Sequence, residues 1–228
     1  MPVNEALVNG PVFGNMYVKI ICGLGFAFLM GSIPFRAVVG WLFDTPGVRD
    51  KDRVNLSIVD AFGRVIEASV PFFDALKGWV PTAIVFHGGG EHMGVAAAFC
   101  AVLGDCYSPW RKWRGGKGVA TYAGALFALS WQAGTIFTAL WMTGAFSSGY
   151  TTIGSLLACA VSFLPLWYFV GAPSAMFGVE MACIIATRHR PNIRNLLAGT
   201  EPSLRLESPE SAPAASRQAV PALSAKGS

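Results

Sequence analysis

Apolar residues fall in long blocks along this chain, and polar residues collect between the blocks. Residues 17–43 form the first block, interrupted by Gly31-Ser32-Ile33-Pro34. Further blocks span 70–86 and 93–106, joined by His87-Gly-Gly-Gly-Glu-His92. The next two are 118–130 and 132–147, around Trp131-Gln132, and the last two are 151–170 and 173–187, around Gly171-Ala172-Pro173. Runs this apolar have lipid as their solvent. The pattern predicts an all-α integral membrane protein of about seven transmembrane helices, with five or six as the alternative count. Several are short: blocks of about 13–16 residues reach only about 20–24 Å at 1.5 Å per residue, against roughly 30 Å of hydrocarbon. Short spans are tolerable where their ends open onto a watery cavity or a polar loop buried in protein.

The charges then set an orientation. Arg49, Lys51, Arg53 and Arg64 form one basic group; Arg111, Lys112, Arg114 and Lys117 a second; Arg188, Arg190 and Arg194 a third. Seven spans put all three groups on one side, whereas 87–92, 131–132 and 171–172 carry no Lys or Arg. The positive-inside rule makes the basic side cytoplasmic, with the N-terminus outside and the C-terminus in the cytoplasm. Arg36, inside the first span, either snorkels to the cytoplasmic edge or faces the bundle.

Composition narrows the function classes. Only 13% of the residues are charged, against about 25% in soluble domains. The net charge of +4 sits in groups between apolar blocks, not across a polar face with interleaved aromatics, so nucleic-acid binding is not expected. Cys22, Cys100, Cys106, Cys159 and Cys183 form no CxxC pair, and His87, His92 and His189 have no zinc-ligand spacing. No metal and no cofactor are expected. Residues 1–16 read as an N-terminal segment without the marks of a removable signal peptide. Residues 17–201 read as one membrane domain. Residues 202–228, rich in Ser, Pro, Ala and Glu, read as a disordered tail that buries too little apolar surface to offset chain entropy.

Two polar runs suggest chemistry. Trp113-Arg114-Gly115-Gly116-Lys117-Gly118-Val119-Ala120-Thr121 puts glycines and a lysine at the mouth of a membrane segment. Backbone N–H groups at a helix start, with an ammonium beside them, suit a phosphate group. Glycine lets an oxyanion approach those amides without meeting a Cβ. The run is not a Walker A loop, since its glycine spacing differs and Val119 stands where that motif has Ser or Thr. The competing reading is an interfacial loop with an anchoring lysine. The second run is Thr187-Arg188-His189-Arg190-Pro191-Asn192-Ile193-Arg194, followed by Gly199-Thr200-Glu201. A histidine between two arginines at a helix end suits an anion or the positioning of a hydroxyl. A stop-transfer flank is the plainer reading, but it needs neither Asn192 nor Glu201.

Together these stretches resemble the bacterial membrane-embedded glycerol-3-phosphate acyltransferases that use acyl phosphate, the PlsY family. The likeness covers roughly residues 17–201. It rests on Gly31-Ser32-Ile33-Pro34-Phe35, Asp74-Ala75-Leu76-Lys77-Gly78, Pro109 with Gly115 to Thr121, Arg188-His189-Arg190 with Asn192-Ile193, and Gly199-Thr200-Glu201. The resemblance implies a seven-span, N-out, C-in enzyme of the bacterial plasma (inner) membrane in phospholipid biosynthesis. The acyl group of an acyl phosphate would pass to the 1-hydroxyl of glycerol 3-phosphate, giving lysophosphatidic acid and phosphate. Its partners would be those two substrates and membrane lipids. By resemblance, His189 and Asn192 would contact the acceptor as the catalytic pair. Gly115, Gly116, Lys117 and Gly118 would hold phosphate, Arg49, Asn55 and Arg188 would help bind the substrates, and Lys77 and Glu201 would be structural. Such a donor has a good leaving group, so positioning and charge stabilisation carry most of the rate. No His-x-x-x-x-Asp motif and no Gly-x-Ser-x-Gly elbow is present.

The chain also departs from the family. Where the family reads Ser-Gly-Asn-x-Gly-x-Thr-Asn, this chain reads Arg53-Val54-Asn55-Leu56-Ser57-Ile58-Val59-Asp60, and a Gly-His pair is replaced by Gly104-Asp105. Asp60 and Asp105 are expected to repel a phosphate. The alternatives are therefore a diverged, weakly active or inactive member that binds a phosphorylated ligand in the membrane, and a small anion transporter. An inverted repeat would favour transport, and none is visible.

Overall fold

Several helix ends in this protein fall at proline or glycine, among them Pro34, Gly118, Gly149 and Gly171, and those breaks place its polar groups. The computed structural model describes residues 11–35, 37–38 and 58–204. The segment carrying Arg49 and Asn55, together with Arg36 and residues 205–228, lies outside them. All regular structure among the described residues is helical. Helix α1 is Pro11–Ser32, and α2 is Ile58–Cys106 with a non-helical residue at Gly90. A 3-10 turn at Pro109–Arg111 leads to α3, Val119–Leu129, and α4, Trp131–Ser148. Then come α5, Thr151–Val161; α6, Phe163–Phe169; α7, Ala172–Arg188; and α8, Arg190–Leu197.

Gly90 has φ 79° and ψ −173°, a backbone conformation that glycine adopts without a Cβ penalty. It divides α2 into two arms that fold back on each other, since Lys77 and Asp105, 28 residues apart, make an ion pair. The expected loop at 87–92 is thus a reversal at a single residue with helix on either side.

The arms approach their neighbours closely. A Cβ on Gly31 would meet the Ala101 backbone, and one on Gly104 would meet Phe28. Lipid tails are as apolar as leucine, so membrane helices associate through such close packing of small residues. The core of the remaining helices centres on Tyr122, whose ring lies edge-on to Phe137 at 5.3 Å and to Phe177 at 5.5 Å. Its hydroxyl shares a 2.8 Å hydrogen bond with Ser162. The outer surface carries Phe72, Trp131, Phe146, Trp167, Tyr168 and Met176 exposed, as a lipid-facing surface should.

Thr151–Phe169 alone among the described helices is long and apolar enough, by length and composition, to cross a membrane; Tyr17–Ser32 and Val119–Leu129 are apolar but shorter. The polar ends fall into two groups. At one end lie Ser32, Lys77, Asp105 and the 107–118 loop, joined by side-chain bonds, and near them the 149–152 turn with α8 and Glu201. At the other, Ser174 at the start of α7 donates to Glu91, just past the α2 reversal, at 3.3 Å.

Candidate active site

The break at Pro34 prepares one wall. Proline has no N–H and disfavours helix in the residue before it, so α1 stops at Ser32 and leaves carbonyls free of the helix. Ser108 Oγ donates to Ser32 O at 2.6 Å, and Lys77 Nζ donates to Ile33 O at 3.3 Å. Trp110 Nε1 donates to Ser32 Oγ at 2.9 Å. The first span is thereby tied to the loop that carries Lys117.

That loop is packed tightly on the end of α2. Gly115 N donates to Cys106 O at 3.2 Å, and Gly116 N donates to Asp105 O at 2.8 Å. Gly118 N donates to Asp105 Oδ2 at 3.0 Å. All three glycine amides are therefore engaged within the chain. A Cβ at Gly115 would strike the Asp105 backbone, and one at Gly116 would lie 2.8 Å from the Asp105 carboxylate. The glycines here serve close packing, not the bare-amide cradle expected from their order. Lys117 is the exposed residue of 115–118. The amides of Val119, Ala120 and Thr121 open α3 without helical acceptors, and the N-cap Gly118 has no side chain to cap them.

Arg188 clamps the loop from above. Its Nε donates to Gly116 O at 3.2 Å and its Nη2 to Gly115 O at 3.0 Å. Its guanidinium carbon sits 5.3 Å from the centroid of the Tyr107 ring. This side chain, expected to bind substrate, is spent largely on two loop carbonyls and a ring face.

His189 stands at the junction of α7 and α8 with φ −89° and ψ 0°, and Pro191 lies in the first turn of α8, where its missing N–H costs no helical bond. The ring is 1% exposed. Its Nδ1 lies 2.8 Å from Ile185 O. A carbonyl only accepts, so Nδ1 carries the hydrogen and Nε2 presents a lone pair. Burial pushes the imidazole below its ordinary range and the Lys117 charge adds to this, outweighing the Ile185 bond and Glu201. The ring is therefore neutral at pH 7.

Glu201 returns to the same place. Thr152 Oγ1 donates to its Oε1 at 2.7 Å, and Asn192 Nδ2 donates to the same oxygen at 2.8 Å. Oε2 is buried without a partner among the described residues. Burial alone would raise this carboxyl, but the bonds from Thr152 and Asn192 and the Lys117 charge hold it below the usual range. Desolvation in turn lowers the Lys117 ammonium, against the pull of Glu201.

The structure thus brings together Lys117, His189, Asn192 and Glu201, with Gly115, Gly116, Gly118 and Arg188 forming the support. Lys77 stands behind that support, 3% exposed, paired with Asp74 at 2.9 Å and with Asp105 at 2.5 Å. Arg49 and Asn55 lie outside the described residues. Asp105 faces Lys77 and the Gly118 amide, so the repulsion expected of it is offset by a buried cation. Sequence reasoning missed Thr152, Tyr107 and Trp110. Thr151-Thr152 at the head of an apolar block reads as a helix cap, and nothing local announces a partner at Glu201.

An all-helical bundle with exposed apolar flanks and one cationic, histidine-bearing end is that of an integral membrane enzyme. The family model for glycerol-3-phosphate acyltransferase matches residues 21–199, and this chain belongs to that family, an acyltransferase family of phospholipid synthesis. The glycerol-3-phosphate acyltransferase of Nitrobacter winogradskyi is 33% identical over 189 residues, covering 82% of this chain and 96% of the relative. That of Mesorhizobium japonicum is 36% identical over 190 residues, with 82% and 96% covered. A crystal structure of PlsY, an integral membrane glycerol 3-phosphate acyltransferase, in its lysophosphatidic acid form superposes with a TM-score of 0.71 at 30% identity, covering 81% of this chain and 95% of that one. Its glycerol 3-phosphate form gives a TM-score of 0.71 at 28% identity.

Proposed function

We propose that this chain transfers the acyl group of an acyl phosphate to the 1-hydroxyl of sn-glycerol 3-phosphate, releasing inorganic phosphate and lysophosphatidic acid. The hydroxyl oxygen bonds to the acyl carbon, the bond from that carbon to the phosphate oxygen breaks, and the hydroxyl gives up its proton. One observation carries the reading: Arg188, next to His189, holds Gly116 O at 3.2 Å and Gly115 O at 3.0 Å, so a cation for a phosphate and a neutral imidazole for a hydroxyl share one place. Lys117 and the first turn of α3 hold the phosphate that leaves. His189 Nε2 takes the hydrogen of the acceptor hydroxyl, and Asn192, held by Glu201, offers its Oδ1 to the same molecule. Arg49 and Asn55 complete the substrate contacts from the segment before α2.

The acyltransferase domain is residues 17–201, with seven spans, the N-terminus outside and the site at the cytoplasmic face of a bacterial inner membrane. The absence of Lys and Arg from the Gly90, Trp131 and Gly171 turns supports this orientation. The likeness to a PlsY structure described as the glycerol 3-phosphate form supports the acceptor. The test is purified, lipid-reconstituted protein supplied with long-chain acyl phosphate and labelled glycerol 3-phosphate. Lysophosphatidic acid should form, and acyl-CoA should not replace the donor. Turnover with acyl-CoA while acyl phosphate stays inert overturns the donor; no turnover with either overturns the enzymatic reading.

A further inference from the structure

We infer that Asp105 is a positioning residue for Lys117: its carboxylate, charge-balanced by Lys77, holds the Gly118 amide and so fixes the backbone that presents Lys117 to a phosphate. This rests on the acyl-phosphate reading of the site.

Both peptide neighbours of Lys117 are tied to the same residue. Gly116 N donates to the Asp105 carbonyl at 2.8 Å, and Gly118 N donates to the Asp105 carboxylate at 3.0 Å. Gly118 is the N-cap of α3 with φ 80° and has no side chain with which to cap its own helix. A carboxylate thirteen residues upstream supplies negative charge at that helix start, where it is favoured by the helix dipole. An uncompensated carboxylate there would oppose an anionic substrate. Lys77 removes that conflict through its contact with Asp105 Oδ1 at 2.5 Å. Lys77 itself is 3% exposed and bonded to Ile33 O and Asp74, so it is a counter-charge inside the support and not a substrate ligand. The pair lets a loop built to bind an anion be braced by an anion. Arg188 closes the opposite side on Gly115 O and Gly116 O, which leaves Lys117 as the exposed residue of 115–118.

Two double variants isolate the contact. Lys77→Met/Asp105→Asn removes the buried pair yet keeps an oxygen for the Gly118 amide. Lys77→Met/Asp105→Ala removes that oxygen as well; neither strands a buried cation, and both take Lys77 from Asp74, so that change cancels between them. The alanine form should show a KM for acyl phosphate raised about tenfold over the asparagine form, the effect of one charge-ordering hydrogen bond. KM for glycerol 3-phosphate and kcat should stay the same between the two. Hydrogen exchange of the peptide containing Gly118 should be faster in the alanine form. Equal acyl-phosphate KM values and equal exchange, or a fall in kcat alone, overturn the inference and leave Asp105 as a fold residue. Wild-type protein without acyl-phosphate turnover would instead sink the proposed reaction. The exchange comparison, with binding of a non-hydrolysable acyl phosphonate, then still decides the role of Asp105.

Discussion

Thr152 donates its hydroxyl to Glu201 Oε1 at 2.7 Å although the two residues are 49 positions apart. The bond joins the start of α5 to the segment after α8, and Leu204 N adds a second tie to Gly149 O at 2.7 Å. Glu201 in turn holds Asn192, so the placement of Asn192 depends on a residue at the start of a different helix. Thr152→Val keeps the shape and removes the donor. A hydrogen bond to a charged group contributes about 1.5–3 kcal/mol. The variant should lower kcat/KM for glycerol 3-phosphate roughly tenfold or more, while Thr152→Ser stays near wild type. Equal activity in the valine and serine variants would remove Thr152 from the site.

His189 makes the activity pH-dependent in a defined direction. Burial first, then the Lys117 charge, hold its pKa below the ordinary 6.5. The folded protein therefore resists a proton that the unfolded chain accepts. Stability from this group is present above pH 6.5 and is lost as pH falls through the lowered value. Protonation also removes the Nε2 lone pair. Both thermal stability and kcat/KM should decline together on the acid side, below pH 6.5. An acid limb centred above that pH would show that His189 is not the titrating group.

Lys117→Ala should weaken acyl-phosphate use by removing a charge-assisted contact of about 1.5–3 kcal/mol, roughly ten- to a hundredfold in kcat/KM. The support does not depend on its side chain, because the loop is held through Gly115, Gly116 and Gly118. Unchanged kinetics in this variant would return Lys117 to an interfacial anchor.

The two-ended layout was legible because charge and hydropathy report on solvent, and solvent changes at every helix end. Pro34 could be read as a break for the same local reason. The use made of the glycines could not. Whether the Gly116 amide meets a phosphate or the Asp105 carbonyl depends on where α2 ends relative to the loop, a tertiary fact with no local signal. Asp105 looked hostile to phosphate because Lys77, 28 residues away, is a neighbour only after α2 reverses at Gly90. Thr152 escaped notice for the same reason, since its partner lies beyond three further helices. The family resemblance pointed to these residues; their contacts with one another, such as Gly116 N on Asp105 O, are not written in it.

Single-cysteine labelling on a cysteine-free background tests the orientation. Lys112 and Gly89 are both exposed and lie at opposite ends of the helices. The charge distribution expects a cysteine at Lys112 or Arg194 to be protected in intact cells and one at Gly89 to be labelled from outside. Labelling of positions 112 and 89 from the same side would end the seven-span arrangement.

Residues 53–60 carry the largest departure from the family pattern; 53–57 lie outside the described residues, and Ile58, Val59 and Asp60 open α2. A phosphate-binding loop without glycines admits an oxyanion to fewer amides, and Asp60 would add a like charge near a phosphate. Arg53→Ser, Val54→Gly, Ser57→Gly, Val59→Thr and Asp60→Asn together rebuild the family sequence. The combined variant should raise kcat/KM for acyl phosphate, with the gain lost again when only Asp60 is restored. If the unmodified chain already matches a relative that keeps the family sequence, the cation at Arg53 replaces what the serine and glycines supply. Arg53→Ser alone should then cost activity, a sign opposite to that expected here, and the measurement of that single variant separates the two accounts.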